Sequence, residues 1–493
     1  MLESVRAQTA TPGPASGSAV DADPRIHARR STLLGCGIAA IVVGIAVAWV
    51  QLTDMRPSYD AFGWLVWGRQ VLDWNLNTDG APSWKPLTLV FTLPYALAGA
   101  QPQVWLWMIT STAGALAGSV FAARIAFRLT GPCPGGRWPA FAAGAFAAAA
   151  VVGMDGYSQQ VLIANSDPMI VTLCLAAIDS HLSNRPRIAF ALLVLAALGR
   201  PEAWAFAAPY AIWLVRSGHT HAVIATLALT GIGLAWFLVP GLTSHSWFIS
   251  GQLAMNSPNA IHGNRPIGVI DRLMGLYERP MQVAVAYALV LAVIRRDRAW
   301  LSLAGAALLW VAIEIAMALH GWSAVPRYLM EPAAVLIVLA AAAIGWTLAY
   351  GARNGGPLLR WAPPIAFAAL ILSLVPVARS RATLTGTELH EAHKAAVVFK
   401  RLEEVIRNDG GARRIRSCGQ PVTLVGYQAE LAWALGMNVG NVGFRPGQSI
   451  DQGIPIVVFN PHRYGWRVRP WHLRADDARR CAVRIDSQLG DGS

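Results

Sequence analysis

Apolar residues fill the chain in long runs, and polar residues are confined to the stretches between them. The first run, about residues 33 to 53 (LLGCGIAAIVVGIAVAWVQLT), is long enough to cross a hydrocarbon core of about 30 Å at about 1.5 Å per residue. It continues into Gln51, Leu52 and Thr53 with no small-residue cleavage site behind it, which predicts a retained membrane span rather than a signal peptide. Further apolar runs predict helices near 103–127, 138–155, 167–183, 187–200, 203–216, 221–240, 280–294, 299–319, 332–350 and 361–378, eleven in all. The helices 187–200 and 203–216 are each too short for a full crossing and meet at RPEA, which predicts two half-depth helices inside the protein.

Beyond residue 380 the pattern changes. QPVTLVGY and IPIVVFNP have strand length and strand composition, and HEAHKAAVVFKRLEEVIRN has the apolar spacing of an amphipathic helix. The expected architecture is an all-α polytopic membrane protein of about eleven transmembrane or half-depth helices, with a small C-terminal α/β extracytoplasmic domain. Its parts are a disordered cytoplasmic tail (1–31), a membrane domain (32–379) with an extracytoplasmic first loop (54–102), and an α/β appendage (380–493).

Composition sharpens this picture. Of 493 residues 55% are hydrophobic and 14% charged, the balance of an integral membrane protein. The net charge of +13 does not imply a nucleic-acid partner, because the basic residues fall singly or in pairs between apolar runs rather than on one face. With the N-terminus inside, Arg124, Arg128, Arg137, Arg185, Arg187, Arg216, Arg295, Arg296, Arg298, Arg353 and Arg360 all fall on the cytoplasmic side of the plasma membrane. An odd number of spans then places the appendage outside. Cys418 and Cys481 lie together in it; a disulfide between them fits an oxidising compartment, and two free thiols are the alternative.

The polar stretches that interrupt the apolar pattern hold the candidate chemistry. In YDAFGWLVWGRQVLDW, Trp64, Trp67, Val71 and Trp74 recur at helical spacing, as on a helix lying in the headgroup region, with Asp60 at its start. Ser58 or Asp60 would also serve as a simple N-cap. SWKPL puts Lys85 beside Trp84 where the chain re-enters the membrane, an arrangement also expected of a snorkelling lysine. GRPEAW puts Arg200 and Glu202 at a depth where ionisable side chains are costly and are therefore paired or functional; the two residues pairing with each other is the structural alternative. VLIANSDPM adds Asn165 and Asp167, and SAVPRYLMEP adds Arg327, Tyr328 and Glu331. The loop 241–279 adds His245, His262, Asn264 and Arg265; no two histidines there have helical metal-pair spacing, so they are expected to be surface residues. Glu314, inside a span, is expected to face the bundle and to be satisfied by a neighbour.

If Asp60, Lys85, Arg200 and Arg327 converge on one cavity at the outer surface, a carboxylate stands beside a cluster of cations. That is the arrangement needed to displace a sugar from a lipid phosphate: the cations neutralise the leaving group, and the carboxylate takes the proton of the acceptor hydroxyl. Tryptophans would add flat surfaces for sugar and polyprenyl contact, or merely anchor the helix.

These features resemble the GT-C superfamily of membrane glycosyltransferases over roughly residues 30 to 380. More narrowly, YDAFGWLVWGR, PSWKPL and GRPEAW resemble an actinobacterial group of multispanning glycosyltransferases. The resemblance implies a polyprenyl-phosphate sugar as donor and a cell-envelope glycan or glycolipid as acceptor. It makes Asp60 the base, Lys85 and Arg200, with Arg327, the phosphate ligands, and Glu202 the residue that orients Arg200. Tyr59, Trp64, Trp67, Trp84, Asn165, Asp167 and Arg265 become supporting or substrate-binding candidates. The sequence departs from many superfamily members in lacking an adjacent acidic pair, since Tyr59 and Ala61 flank Asp60. Some members use a divalent cation, for which only Asp60 and Asp167 suggest themselves as ligands.

A transporter or flippase of a lipid-linked or small polar substrate would want similar intramembrane charges, but only one RPE-type break is present and no matching half-repeat. A non-catalytic envelope scaffold is a third reading. In the appendage, Trp466 and Trp471 are candidates for stacking on a glycan acceptor, or for packing on the membrane domain.

Overall fold

The computed structural model describes residues 24–471, apart from 81, 132–136, 256–258, 355 and 463–464. In chain order the helices are α1 (Pro24–Thr53), α2 (Tyr59–Leu72), α3 (Pro86–Ala96), α4 (Ala100–Thr130), α5 (Trp138–Val152), α6 (Tyr157–Leu162), α7 (Asp167–Leu182), α8 (Pro186–Gly199) and α9 (Trp204–Arg216). There follow α10 (Ala222–Gly233), α11 (Val239–Thr243), α12 (Ile249–Met255), α13 (Arg265–Gly275), α14 (Arg279–Arg295), α15 (Arg298–Leu319), α16 (Met330–Asn354) and α17 (Pro357–Asn408). The C-terminal part holds α18 (Gly411–Cys418), α19 (Gln428–Leu435) and α20 (Pro446–Asp451), with strands β1 (Gln420–Thr423), β2 (Ile456–His462) and β3 (Gly465–Trp471). A helix lies at each of the eleven predicted positions. Six helices among the described residues are long and apolar enough to cross a membrane, and the chain is an integral membrane protein.

The bundle is built around α16, whose apolar window is 83% buried. Its alanine-rich face lets the neighbouring helices approach closely. At Gly345 a Cβ would lie 2.5 Å from Thr130 Oγ1, so α4 tolerates only glycine there. The break between α8 and α9 follows from Pro201, which forces the preceding residue out of the helical region: Arg200 is extended, at φ −143° and ψ 123°, before a 3₁₀ turn from Pro201 to Ala203.

In the C-terminal part β1 pairs in parallel with β2, and β2 antiparallel with β3, giving the order β1-β2-β3. Helix α17 runs unbroken past residue 380 into this part, and its Phe399, Leu402 and Val405 share one apolar core with Val457, Phe459 and Trp466 of the sheet. The same core takes in α2: Phe62 stacks on Phe399 with centroids 4.7 Å apart and meets Trp433 at 6.0 Å. A Cβ at Gly80 would lie 2.5 Å from the backbone nitrogen of Gly440, so first loop and appendage touch backbone to backbone.

The packing of α2 corrects its interfacial reading. Trp64 and Trp67 of the same helix are each 1% exposed, Trp64 packing edge-on against Trp107 of α4 and Trp67 against Trp84, so neither lies among headgroups. Trp74 falls beyond the helix end at φ 52° and leaves the stripe. Trp466 is also buried, with its indole nitrogen donating to the Val398 carbonyl at 2.9 Å, so it presents no face to a glycan, whereas Trp471 is exposed.

Candidate active site

Apart from Asp60, the charged residues that meet at the site share one local feature, a neighbouring proline at a helix end. Lys85 precedes Pro86 at the start of α3, Asp167 precedes Pro168 in α7, Arg200 precedes Pro201, Arg327 follows Pro326, and Glu331 precedes Pro332. Proline fixes where each helix begins or stops, and so sets these side chains at one level. Helix dipoles agree with the charges: Asp167 and Glu331 occupy first turns, and Arg200 follows the C-terminus of α8.

Asp167 is the hub. Its Oδ1 accepts from Lys85 Nζ at 3.3 Å and from Arg200 Nη2, and Arg327 Nε lies 3.5 Å from its Oδ2. Arg200 Nε is 3.6 Å from Glu331 Oε1, with its guanidinium 3.9 Å over the Tyr328 ring. Arg327 Nη1 reaches Asp60 Oδ2 at 3.1 Å. Lys85 Nζ also donates to Ser166 Oγ at 3.4 Å and lies 5.4 Å from the Trp64 ring. Burial pushes the Lys85 ammonium down from its ordinary value and the Asp167 charge opposes that shift. Exposure divides the cluster: the side chains of Asp167, Glu331 and Arg200 are 0%, 1% and 3% exposed, while Asp60 and Arg327 retain 22% and 29%. Asp60 and Arg327 are the members of the cluster most open to a ligand.

Asp60, Lys85, Arg200 and Arg327 are thus brought together as the sequence suggested. The capping alternative does not hold, since Ser58 makes no side-chain cap and Asp60 turns to Arg327. Glu202 does not orient Arg200 by an ion pair. Asp167 and Glu331 take that role, and Glu202 instead lies within electrostatic reach of Glu314, which is buried in the bundle as expected but keeps its Oε1 without a hydrogen-bond partner among the described residues. Arg265 stands apart from the site at the start of α13, donating to the Leu319 carbonyl at 2.8 Å, with Asn264 capping that helix. Asn165 is occupied by Gln160 and by the backbone of Ser166. Trp84 is buried, its nitrogen bonded to the Ala235 carbonyl at 2.8 Å, so Trp64, Trp67 and Trp84 wall the site rather than offer open ring faces.

Tyr59 faces the appendage, where burial, then Asp60 and Glu430, push its phenol up. Among the described residues no group of three or more His, Cys, Asp and Glu side chains could hold a metal. Asp60 and Asp167, the suggested ligands, are committed to cations, so the residues present do not fit a divalent ion. Cys418 is disulfide-bonded; Cys481, its expected partner, lies outside the described residues. Glu430 was not singled out from the sequence, and only its place in an otherwise apolar helix, QAELAWAL, could have signalled it.

Beside the charged cluster an apolar cavity of about 850 Å³ opens between α7, α8, α9, α15 and α16. Glu331 is part of its wall together with Cys174, Leu193, Phe206, Trp310 and Val335.

This architecture, a polytopic helical bundle with a small α/β domain docked on its first loop, is a GT-C-like fold. It is similar to the structure of ArnT from Cupriavidus metallidurans bound to undecaprenyl phosphate, at 13% identity and a TM-score of 0.53, covering 87% of this chain and 92% of that one. It is similar also to ArnT from the same organism in the apo state, at 13% identity and a TM-score of 0.50, covering 88% and 93%. No family model and no curated protein matches the chain.

Proposed function

We propose that the chain is a membrane glycosyltransferase that moves a sugar from a polyprenyl phosphate to a hydroxyl of an extracytoplasmic cell-envelope acceptor. The observation that carries this reading is the junction of a partly open ion pair, Asp60 with Arg327, to an apolar cavity whose wall includes Glu331 of the same cluster. A polyprenyl phosphate has the matching division, an anionic head on a long apolar tail. The likeness to ArnT, solved with undecaprenyl phosphate, supports the same class of ligand.

In this reading the donor phosphate draws Arg327 away from Asp60 and frees the carboxylate. Asp60 takes the proton of the acceptor hydroxyl as that oxygen attacks the anomeric carbon. The bond from the anomeric carbon to the phosphate oxygen breaks on the opposite face, so configuration inverts and the polyprenyl phosphate leaves as an anion. Arg327, the exposed cation, meets that anion directly. Lys85 and Arg200 act from behind, fixing Asp167 and with it Arg327, and a preorganised positive field in a dry site is a large part of such catalysis.

The reading places the N-terminal tail (1–31) in the cytoplasm and the appendage (380–493) outside. Arg124 and Arg128, which pair with Asp179 at the far end of α7 from Asp167, are then positive-inside residues, and the Cys418 disulfide lies in an oxidising compartment. The motifs YDAFGWLVWGR, PSWKPL and GRPEAW, which resemble those of an actinobacterial group of multispanning glycosyltransferases, support the same reading. The test is transfer by purified protein from radiolabelled polyprenyl-phosphate arabinose, mannose, glucose or galactose to envelope extract. Transfer from one donor is expected; none from any, by folded protein in an assay validated on a known enzyme, would contradict the reading.

A further inference from the structure

Helices α2 and α19 lie side by side and run in the same sense. In the first turn of α2 Tyr59 and Asp60 are within electrostatic reach of Glu430 and Phe62 packs on Trp433, and towards the end of α2 Arg69 and Asp73 share a cavity with Ala432 and Gly436. That cavity, of about 420 Å³, is separate from the charged cluster around Asp167. Its size is within the range of small-molecule sites, roughly 300–1,000 Å³.

The chemistry of its wall is unlike that of the apolar cavity. It is lined by Arg69, Gln70, Asp73 and Asn75 of the first loop and by Asn438 and Asn441 of the appendage. Two of these side chains are fixed. Arg69 lies flat on Trp433, 4.0 Å from the ring centroid. Gln70 accepts from the backbone N–H of Asn77 at 3.1 Å, which sets the orientation of its amide. Its amide nitrogen is buried and has no partner among the described residues, and the residue is 6% exposed. A buried donor left unpaired costs about 1–3 kcal/mol, so it is a place for a ligand oxygen.

Fixed amide and guanidinium groups around a small polar cavity suit a saccharide, whose hydroxyls both donate and accept. We propose that this cavity binds sugar units of a glycan, and, resting on the glycosyltransferase reading, that these are units of the acceptor remote from the reacting hydroxyl. Asp60 and Arg69 are nine positions apart on α2, about 14 Å along the helix axis and on opposite flanks of it, so the site anchors the polymer rather than the reacting residue.

The experiment is saturation-transfer NMR on the full-length protein in detergent with soluble oligomers of arabinose, mannose, galactose and glucose, and separately with inorganic phosphate. Wild type is expected to bind one oligosaccharide series, with Asn438→Ala, Asn441→Ala and Asn75→Ala each weakening it at least about tenfold, a loss of about 1.4 kcal/mol. Those side chains are half-buried or exposed, so folding is retained and is checked by thermal unfolding. No oligosaccharide binding by wild type, binding unmoved by all three variants, or binding of phosphate alone would each overturn the proposal. Transfer assays separate the two readings. Glycan binding without transfer from any donor would remove the enzyme and leave the cavity, whereas transfer with an acceptor KM unchanged in Asn438→Ala would remove the cavity's role as acceptor anchor and leave the enzyme.

Discussion

Arg327 holds Asp60 at 3.1 Å, joining the first loop to the segment that opens α16 across nearly the whole membrane domain. The two are the most exposed members of the charged cluster, so a ligand entering the site meets a closed ion pair before it meets a free base. Arg327→Ala therefore has two effects: it leaves Asp60 unpaired and removes the cation nearest the leaving phosphate. Transfer is expected to fall about 10²–10³-fold, with weaker donor binding, and Arg327→Lys should recover only part of this because lysine lacks the planar fork. Steady-state transfer and donor titration measure both, and full activity in Arg327→Ala would remove this residue from the site.

Asp167 is fully buried and is approached by Lys85, Arg200 and Arg327 together. Asp167→Ala leaves those cations uncompensated in a dry environment. Removing one partner of a buried ion pair costs about 3–5 kcal/mol, so a marked drop in the thermal midpoint in detergent is expected alongside loss of transfer. A wild-type midpoint would contradict its place as the hub.

Glu430 supplies a pH dependence. Burial pushes its carboxyl from 4.5 up to about 8. Between those values the folded protein holds a proton that the unfolded chain has lost, so this residue's effect on stability is most favourable below 4.5 and worsens as pH rises to about 8. Glu430→Gln removes the titration. Its thermal midpoint is expected to gain on wild type as the pH is raised from 4.5 to 8, and a difference constant across that range would contradict the assignment.

The apolar cavity makes a chain-length prediction. Ala306, on its wall, replaced by Trp, fills space that the polyprenyl tail would occupy. Donors with long tails should bind about tenfold more weakly while a short-chain analogue is unaffected, as read by competition binding. Equal loss for both would indicate a general disturbance of the bundle.

Much of this was legible because lipid makes polar residues conspicuous. The apolar runs gave the helices, and Lys85, Arg200 and Arg327, each beside a proline at the edge of such a run, stood out by their cost. The partners did not. Asp167 and Glu331 are as visible as Glu202, but which carboxylate reaches Arg200 depends on how α7, α8 and α16 pack, and no local spacing encodes that. The tryptophans failed for a related reason. A stripe of Trp64 and Trp67 has the same period whether it faces lipid headgroups or a protein interior, and its packing against Trp107 and Trp84 depends on how α2, α3 and α4 meet. In β3, Trp466 and Val468 alternate with Arg467 and Arg469 as in a half-buried strand, a pattern readable in advance but hidden by attention to its aromatic rings.

The most direct test of the central claim is donor binding and sugar transfer measured side by side for wild type and Asp60→Asn. The substitution keeps the size of the side chain and removes the carboxylate proposed as the base. Loss of transfer by about 10²–10⁴-fold with donor binding retained is the predicted result. Transfer undiminished in Asp60→Asn would contradict the assignment of Asp60 as the base.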